Sequence, residues 1–104
     1  TERVNELIKR ELVLLLSKET KDPRLQEVVI TDVIVTRDLT SAKVFFSVEE
    51  LSQKSVAALL NKASGFFRKS LSKTLDLRHT PSLNFIYDTA PNAGARMDDL
   101  LSKI

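Results

Sequence analysis

The residues of this chain that are candidates for a chemical role are six basic side chains, and four of the six lie in one stretch from Val56 to Leu77. Apolar residues recur in that stretch at spacings of three and four, which predicts a helix with one buried face. Lys62, Lys69 and Lys73 fall on the opposite face, which we call the basic face. Ammonium groups along a helix can bind the phosphates of a nucleic acid. A plain solvated helix face is the alternative interpretation of the same pattern.

The charge of the chain is unevenly distributed. The formal net charge is only +2, but six basic residues and one acid lie between Lys54 and His79. This imbalance is a mild indication of nucleic-acid binding. Arg24 is a further candidate outside that segment, although the carboxylate of Asp22 or Glu27 could instead pair with it locally. The candidate phosphate-binding residues are therefore Lys62, Arg68, Lys69, Lys73, Arg78 and Arg24.

The middle of the basic stretch predicts a bend. Ala63, Ser64 and Gly65 stand between its two halves. A glycine inside a helix costs about 1 kcal/mol relative to alanine. A serine can bond to nearby backbone and compete with continuation of the helix. We therefore expect two helices that meet at a kink set by these three residues, with basic side chains on both sides of it.

The sequence gives little support to catalytic or metal-binding chemistry. It has no cysteine, one histidine and two glycines, which argues against a zinc site and against a phosphate-cradling loop. His79 is the one side chain whose ordinary pKa lies near neutrality, but no orienting partner is visible near it. Asp98 and Asp99 are adjacent in a predicted helix and do not face each other. We expect no catalytic residue, no metal and no cofactor.

Five further elements are predicted around the bent stretch. An amphipathic helix runs from about Glu2 to Lys18. Strands rich in β-branched residues run from Val28 to Thr36 and from Ala42 to Glu49, and their short link predicts an antiparallel hairpin. A third strand, Ser82 to Asp88, follows the helical crossover and returns to the same sheet. A short helix with one apolar stripe, about Ala95 to Ile104, ends the sequence.

The order α-β-β-α-kink-α-β-α predicts an α+β fold in which a three-stranded sheet packs on helices. The sequence has no repeat, linker or low-complexity segment, so residues 1–104 are expected to form a single domain. The strand from Val28 to Thr36 is apolar on both faces, which is typical of a central strand. Phe45 falls on the polar side of the second strand, where it could stack on a base or pack against a helix or a strand edge.

The location of the protein can be inferred from two further features. No apolar run approaches the roughly 20 residues of a membrane span, and no secretory leader is visible. We therefore expect a cytoplasmic protein without a membrane partner.

A bent helix that follows a β-hairpin resembles the KH fold in its type II order. In ordinary KH domains a GXXG loop joins the two helices and clamps a single strand of nucleotides, whereas this chain has Ala63-Ser64-Gly65 there. With that departure, the whole chain resembles the bacterial ribosome-binding factor A family. The motifs that carry the resemblance are, in order, Asp22-Pro23-Arg24, Val29-x-Thr31-x-Val33, Asp38-Leu39 with Ala42-Lys43-Val44, Ala63-Ser64-Gly65, Leu77-Arg78-His79-x-Pro81 and Leu83-x-Phe85-x-x-Asp88.

The resemblance implies a KH-like RNA-binding domain that serves as an assembly factor and not as an enzyme. Such factors bind the free 30S small ribosomal subunit, contact 16S ribosomal RNA, and assist late maturation and 5′-end processing of that RNA. The family is also linked to growth in the cold. The expected partner is 16S ribosomal RNA in the free subunit, with no small-molecule substrate and with the protein as a monomer. The alternative is a protein-interaction module whose sheet edge or hairpin docks a ribosomal or processing protein without RNA contact.

Overall fold

The first helix, α1 (Glu2–Lys18), has the bounds that its periodicity predicts. It belongs to a computed structural model that describes residues 2–18, 22–77 and 79–89. The apolar side chains of Ile8, Leu12 and Leu16 are buried, and they recur on the one face of α1 that packs on the sheet. Burial of this stripe is the main contribution of α1 to the core.

Three strands form one mixed sheet in the order β1-β2-β3: β1 (Val29–Val35), β2 (Ser41–Ser47) and β3 (Ser82–Tyr87). The predicted hairpin is confirmed, because β1 and β2 are antiparallel, while β3 runs parallel to β2. Buried residues that face the helices alternate along β2 and β3, and along β1 except at a bulge after Ile30. They are Ile30, Val33, Val35, Ala42, Val44, Phe46, Leu83 and Phe85. The sheet therefore has one face that is covered by helices.

The prediction that the first strand is central was wrong. Among the described residues, β1 pairs only with β2 and so forms an edge of the sheet. The second face of β1 carries Thr31, Asp32 and Ile34, which are only half-buried. β-branched side chains suit a half-buried pleated surface as well as a fully buried one, so a run of them does not distinguish the two positions. Phe45 of β2 lies on the same face, away from the helices, and is also half-buried.

The hairpin link and a bulge in β1 explain several of the sequence motifs. Asp38 organises the link, because its carboxylate accepts hydrogen bonds from the Thr36 and Thr40 hydroxyls and from the Thr40 N–H. These bonds lower the pKa of Asp38, the hydroxyl bonds most. At the bulge, the Thr31 hydroxyl donates over 2.7 Å to the carboxylate of Asp88, the residue that follows β3, and this bond links the two edges of the sheet across β2.

A short helix that the sequence analysis missed follows α1. Pro23 is the first residue of this helix, α2 (Pro23–Gln26). Proline suits that position because its fixed φ is helical and its missing N–H has no partner there in any case. Asp22 caps the helix by accepting from the Arg24 N–H, and Leu25 is buried between α1 and the bent helix.

The basic stretch forms two helices, as predicted. A 3₁₀ turn (Glu50–Ser52) leads into α3 (Gln53–Lys62), and α4 (Ser64–Thr74) follows after one intervening residue. We call α3 and α4 together the bent helix. Both halves pack on β3 through Val56, Leu60, Phe67 and Leu71, all of which are buried. The second half ends at Thr74, three residues short of the predicted Leu77.

One predicted element, the final helix at about Ala95 to Ile104, lies outside the described residues. Within the described ranges, no helix combines the length and the apolar character that crossing a bilayer requires.

Candidate nucleic-acid interface

The bend is located at Ala63, the first of the three residues that were predicted to set the kink. Ala63 has φ −91° and ψ 6°, outside the helical region, and it separates α3 from α4. Its N–H donates to both the Leu59 and the Leu60 carbonyl at 3.1 Å, a bifurcated bond of the kind found at helix ends. Its carbonyl accepts from the Phe67 N–H at 3.2 Å, the first bond of the next helix. Ser64 and Gly65 are thus the first two residues of α4.

Gly65 is exposed and its φ is not positive, so the backbone conformation does not require a glycine. A Cβ atom built at this position would meet nothing within 4 Å. We therefore expect Gly65→Ala to raise the free energy of unfolding, by at most about 1 kcal/mol. Urea denaturation measures this change, and Ala63→Gly, which removes a Cβ at the bend itself, is the matched control with the opposite sign. A loss of stability in Gly65→Ala would mean that the glycine is needed to form the bend.

The three lysines of the basic face are all exposed. Lys62 ends α3, while Lys69 and Lys73 stand one turn apart on α4. None of the carboxylates in the described part of the chain lies within ion-pair distance of their ammonium groups. A cation that is exposed and not neutralised by a neighbour is available to a polyanion. The lysines therefore stand on both sides of the bend in a state suited to phosphate contact.

The arginine candidates are placed differently from the lysines. Arg68 is exposed, but its Nε donates to the Thr80 carbonyl at 3.0 Å and ties α4 to the loop before β3. The rest of its guanidinium group keeps further donors for a phosphate. Arg78 lies outside the described residues.

Arg24 forms a local pair with Asp22, which is the alternative that the sequence left open. Its Nη2 lies 2.8 Å from Asp22 Oδ2 and its Nε donates to Oδ1 at 3.1 Å. These bonds hold the pKa of Asp22 below its usual value and raise that of Arg24. A phosphate would have to compete with this carboxylate for the same guanidinium N–H donors. Phosphate contact by Arg24 thus stays a prediction.

Asn61 is a positioning residue that sequence reasoning missed. Its Nδ2 donates to the Phe85 carbonyl at 3.0 Å and its Oδ1 accepts from the Phe85 N–H at 2.8 Å. The side-chain amide thereby pairs with the outer edge of β3 much as another strand would. This pairing fixes the end of α3, and with it Lys62 and the bend, on the sheet. The only sequence signal was an asparagine, a weak helix former, near a helix end.

The described residues offer little to other chemistries. His79 is exposed, and no group of three or more His, Asp or Glu side chains in the described ranges could hold a metal ion. An open cleft of about 270 Å³ lies between α1, α2 and β1, and its lining is mainly apolar, including Val13, Leu16, Val28 and Val29. A cleft of this composition lacks the convergent polar groups of a catalytic site.

A three-stranded mixed sheet covered on one face by helices, with a broken helix between the hairpin and the last strand, is the architecture of a KH-like α+β domain. A family model described as ribosome-binding factor A matches residues 1–101. The chain belongs to the ribosome-binding factor A family.

Sequence identity to two members of the family supports this assignment over nearly the whole chain. Ribosome-binding factor A of Vesicomyosocius okutanii is 62% identical over 103 residues, which cover 99% of this chain and 90% of that protein. Ribosome-binding factor A of Clostridium beijerinckii is 43% identical over 106 residues, covering 98% and 90%.

Solved structures share the fold. The crystal structure of ribosome-binding factor A from Thermus thermophilus superposes with a TM-score of 0.75 at 20% identity, covering 83% of this chain and 93% of that one. A homology model of the Thermus thermophilus factor, fitted into a cryo-EM map of its complex with the 30S subunit, gives a TM-score of 0.59 at 23% identity over 80% of this chain and 93% of that one. The predicted KH-like fold is thereby confirmed.

Proposed function

We propose that this protein binds the free 30S ribosomal subunit and contacts 16S ribosomal RNA through the basic face of the bent helix. Its role would be to assist late maturation of the subunit and 5′-end processing of the RNA, as a cytoplasmic monomer without enzymatic activity or cofactor. Membership of a ribosome-binding family supports the partner, and the Thermus thermophilus factor has been fitted into a map of a 30S complex.

The observation that carries the RNA contact is the exposure of Lys62, Lys69 and Lys73 on both sides of the break at Ala63. Ordinary KH domains grip single strands with a GXXG loop, which this chain lacks. Contact through the lysines would therefore read the backbone and shape of the RNA more than its sequence. Growth in the cold is a condition in which such an assembly factor would matter, because RNA structures are then more stable.

The salt dependence of binding tests this proposal. Phosphate contacts release counterions, so five of them predict a slope of about −3.5 in a plot of log affinity against log salt for single-stranded RNA. The five cations would be Lys62, Arg68, Lys69, Lys73 and Arg78, with Arg24 left on Asp22. The slope can be measured by fluorescence anisotropy with fragments of 16S ribosomal RNA, alongside co-sedimentation with purified 30S subunits. A slope near zero together with loss of co-sedimentation would contradict the proposal.

One observation favours the alternative of a protein-interaction module. Val13 and Val29 are 46% and 59% exposed beside the apolar cleft, which is a plausible surface for a protein partner. The free edge of β1 is a less suitable one, because its outward N–H groups at Val33 and Val35 already donate to Asp32 and Asn5 side chains. Co-sedimentation that persists while naked RNA is not bound would identify this second mode.

A further inference from the structure

Phe66 is an exposed aromatic residue at the start of α4 that neither the fold nor the phosphate contacts explain. It is 48% exposed, whereas its neighbour Phe67 is 1% exposed and lies in the core. Aromatic side chains that stay at the surface of a basic region are the usual platforms for unpaired bases. The surroundings of Phe66 decide whether it can serve as one.

The first relevant feature is its position relative to the lysines. Phe66, Lys69 and Lys73 are spaced i, i+3 and i+7 on α4, which puts them on one side of the helix. Arg68 lies on the other flank, where it holds the loop before β3. A nucleotide whose phosphate rests on Lys69 would therefore have the Phe66 ring within reach of an adjoining base.

The second feature is the support of the ring. Phe66 meets Phe67 edge to face with ring centroids 5.4 Å apart, and Phe67 meets Phe85 at 5.6 Å. This series of contacts leads from the surface into the core and restrains the Phe66 ring without covering it. A restrained platform loses little conformational entropy when a base stacks on it.

The third feature is the open space at the preceding residue. Gly65 has no side chain, and the position of its missing Cβ has no atom within 4 Å. A nucleotide can therefore approach the backbone in the first turn of α4 more closely than it could if this residue carried a side chain.

We infer that Phe66 stacks on an unpaired base of the RNA whose phosphates the basic face binds. The inference rests on the proposed function, since it assumes that RNA lies along α4. It adds a preference for single-stranded or bulged RNA, because bases inside a duplex have no free face to stack on.

The test compares variants of the full chain by their affinity for a mixed-sequence single-stranded RNA of about ten nucleotides, within the usual range of such sites. Phe66→Leu keeps an apolar side chain but removes the ring, and we expect it to lower the affinity about tenfold. The slope against salt should stay that of the wild type, because no phosphate contact is lost. Binding to a blunt-ended duplex of equal length should not change. Leu51→Ala, at a leucine that is 93% exposed, is the control for loss of a surface apolar group.

A second variant gives a direct signal of stacking. The chain has no tryptophan, so Phe66→Trp introduces a single indole at the platform. We expect this variant to keep the wild-type affinity and its fluorescence to be quenched when RNA is added.

The outcomes separate this inference from the proposed function. Wild-type salt dependence with an unaffected Phe66→Leu affinity would overturn the stacking alone, as would binding of RNA without quenching of the indole. A defect of Phe66→Leu in 30S co-sedimentation with normal binding of naked RNA would make Phe66 a protein contact and also overturn it. Failure of the wild type to bind RNA would overturn both.

Discussion

Reversing the charge of Lys69 and Lys73 together is expected to lower the affinity of the protein for single-stranded ribosomal RNA about a hundredfold at low salt. Both ammonium groups are exposed on α4 and have no carboxylate partner among the described residues. Their replacement by Glu removes two phosphate contacts and adds two repulsive charges. The magnitude of the slope of log affinity against log salt should fall by about 1.4, the share of two phosphates in a single-strand complex. Co-sedimentation with 30S subunits should weaken in parallel.

A matched variant distinguishes local contact from net charge. Arg37→Glu with Lys43→Glu makes the same change in net charge on exposed residues of the hairpin, and Lys43 is on the sheet face away from the helices. We expect this control to keep most of the affinity and the wild-type slope. Equal losses in the two double variants would show that only the overall charge matters, and unchanged binding in Lys69→Glu with Lys73→Glu would exclude the basic face as the contact.

The bend and the core of the fold could be predicted because they depend on local chemistry. Periodic burial of Val56, Leu60, Phe67 and Leu71 leaves few ways to place the bent helix, and the hairpin follows from two β-branched segments with a short link. Ala63 was predicted as one of three kink residues, but the sequence could not show which of the three breaks the helix. Serine and glycine are tolerated in the first turn of α4, so they identify the region of the bend and not its residue.

The wrong place of β1 in the sheet and the missed contact of Arg68 have a common physical origin, because both depend on partners far away in sequence. The place of β1 at the edge of the sheet is decided by where β3 joins, and β3 pairs with β2 instead. The hydrogen bond from Arg68 to the Thr80 carbonyl joins α4 to the loop before β3, and no periodicity in the sequence predicts it. The sequence analysis placed Arg68 with Lys69 and Lys73 because all three are cations. In the described residues, however, neither lysine side chain makes a hydrogen bond comparable to the one that Arg68 donates to Thr80. The sequence therefore predicted which cations belong to the candidate site but not how their side chains are arranged in space.

Asn61 is the clearest example of a long-range contact that the sequence did not reveal, and its removal should have a large effect on stability. Asn61→Ala is expected to lower the free energy of unfolding by about 2–3 kcal/mol, because it leaves the partly buried Phe85 N–H and carbonyl without their two hydrogen bonds to the side-chain amide. The bond from Nδ2 to the Ala57 carbonyl within α3 is lost as well. Alanine is the better helix former by several tenths of a kcal/mol, so helix propensity opposes this loss and does not cause it. Urea denaturation monitored by circular dichroism measures the change.

The neighbouring Lys62→Ala variant is the control, since it changes an exposed side chain at the same end of α3. We expect it to alter stability by less than about 0.5 kcal/mol. Amide hydrogen exchange adds a local readout: the Phe85 N–H should lose protection in Asn61→Ala more than the Val44 and Phe46 amides of the central strand. If Asn61→Ala is as stable as Lys62→Ala and the Phe85 amide stays protected, the asparagine does not hold α3 on the sheet. If the predicted loss is found, the lysines at the bend are positioned by a hydrogen-bonded pair on the edge of β3 as well as by the apolar core beneath them.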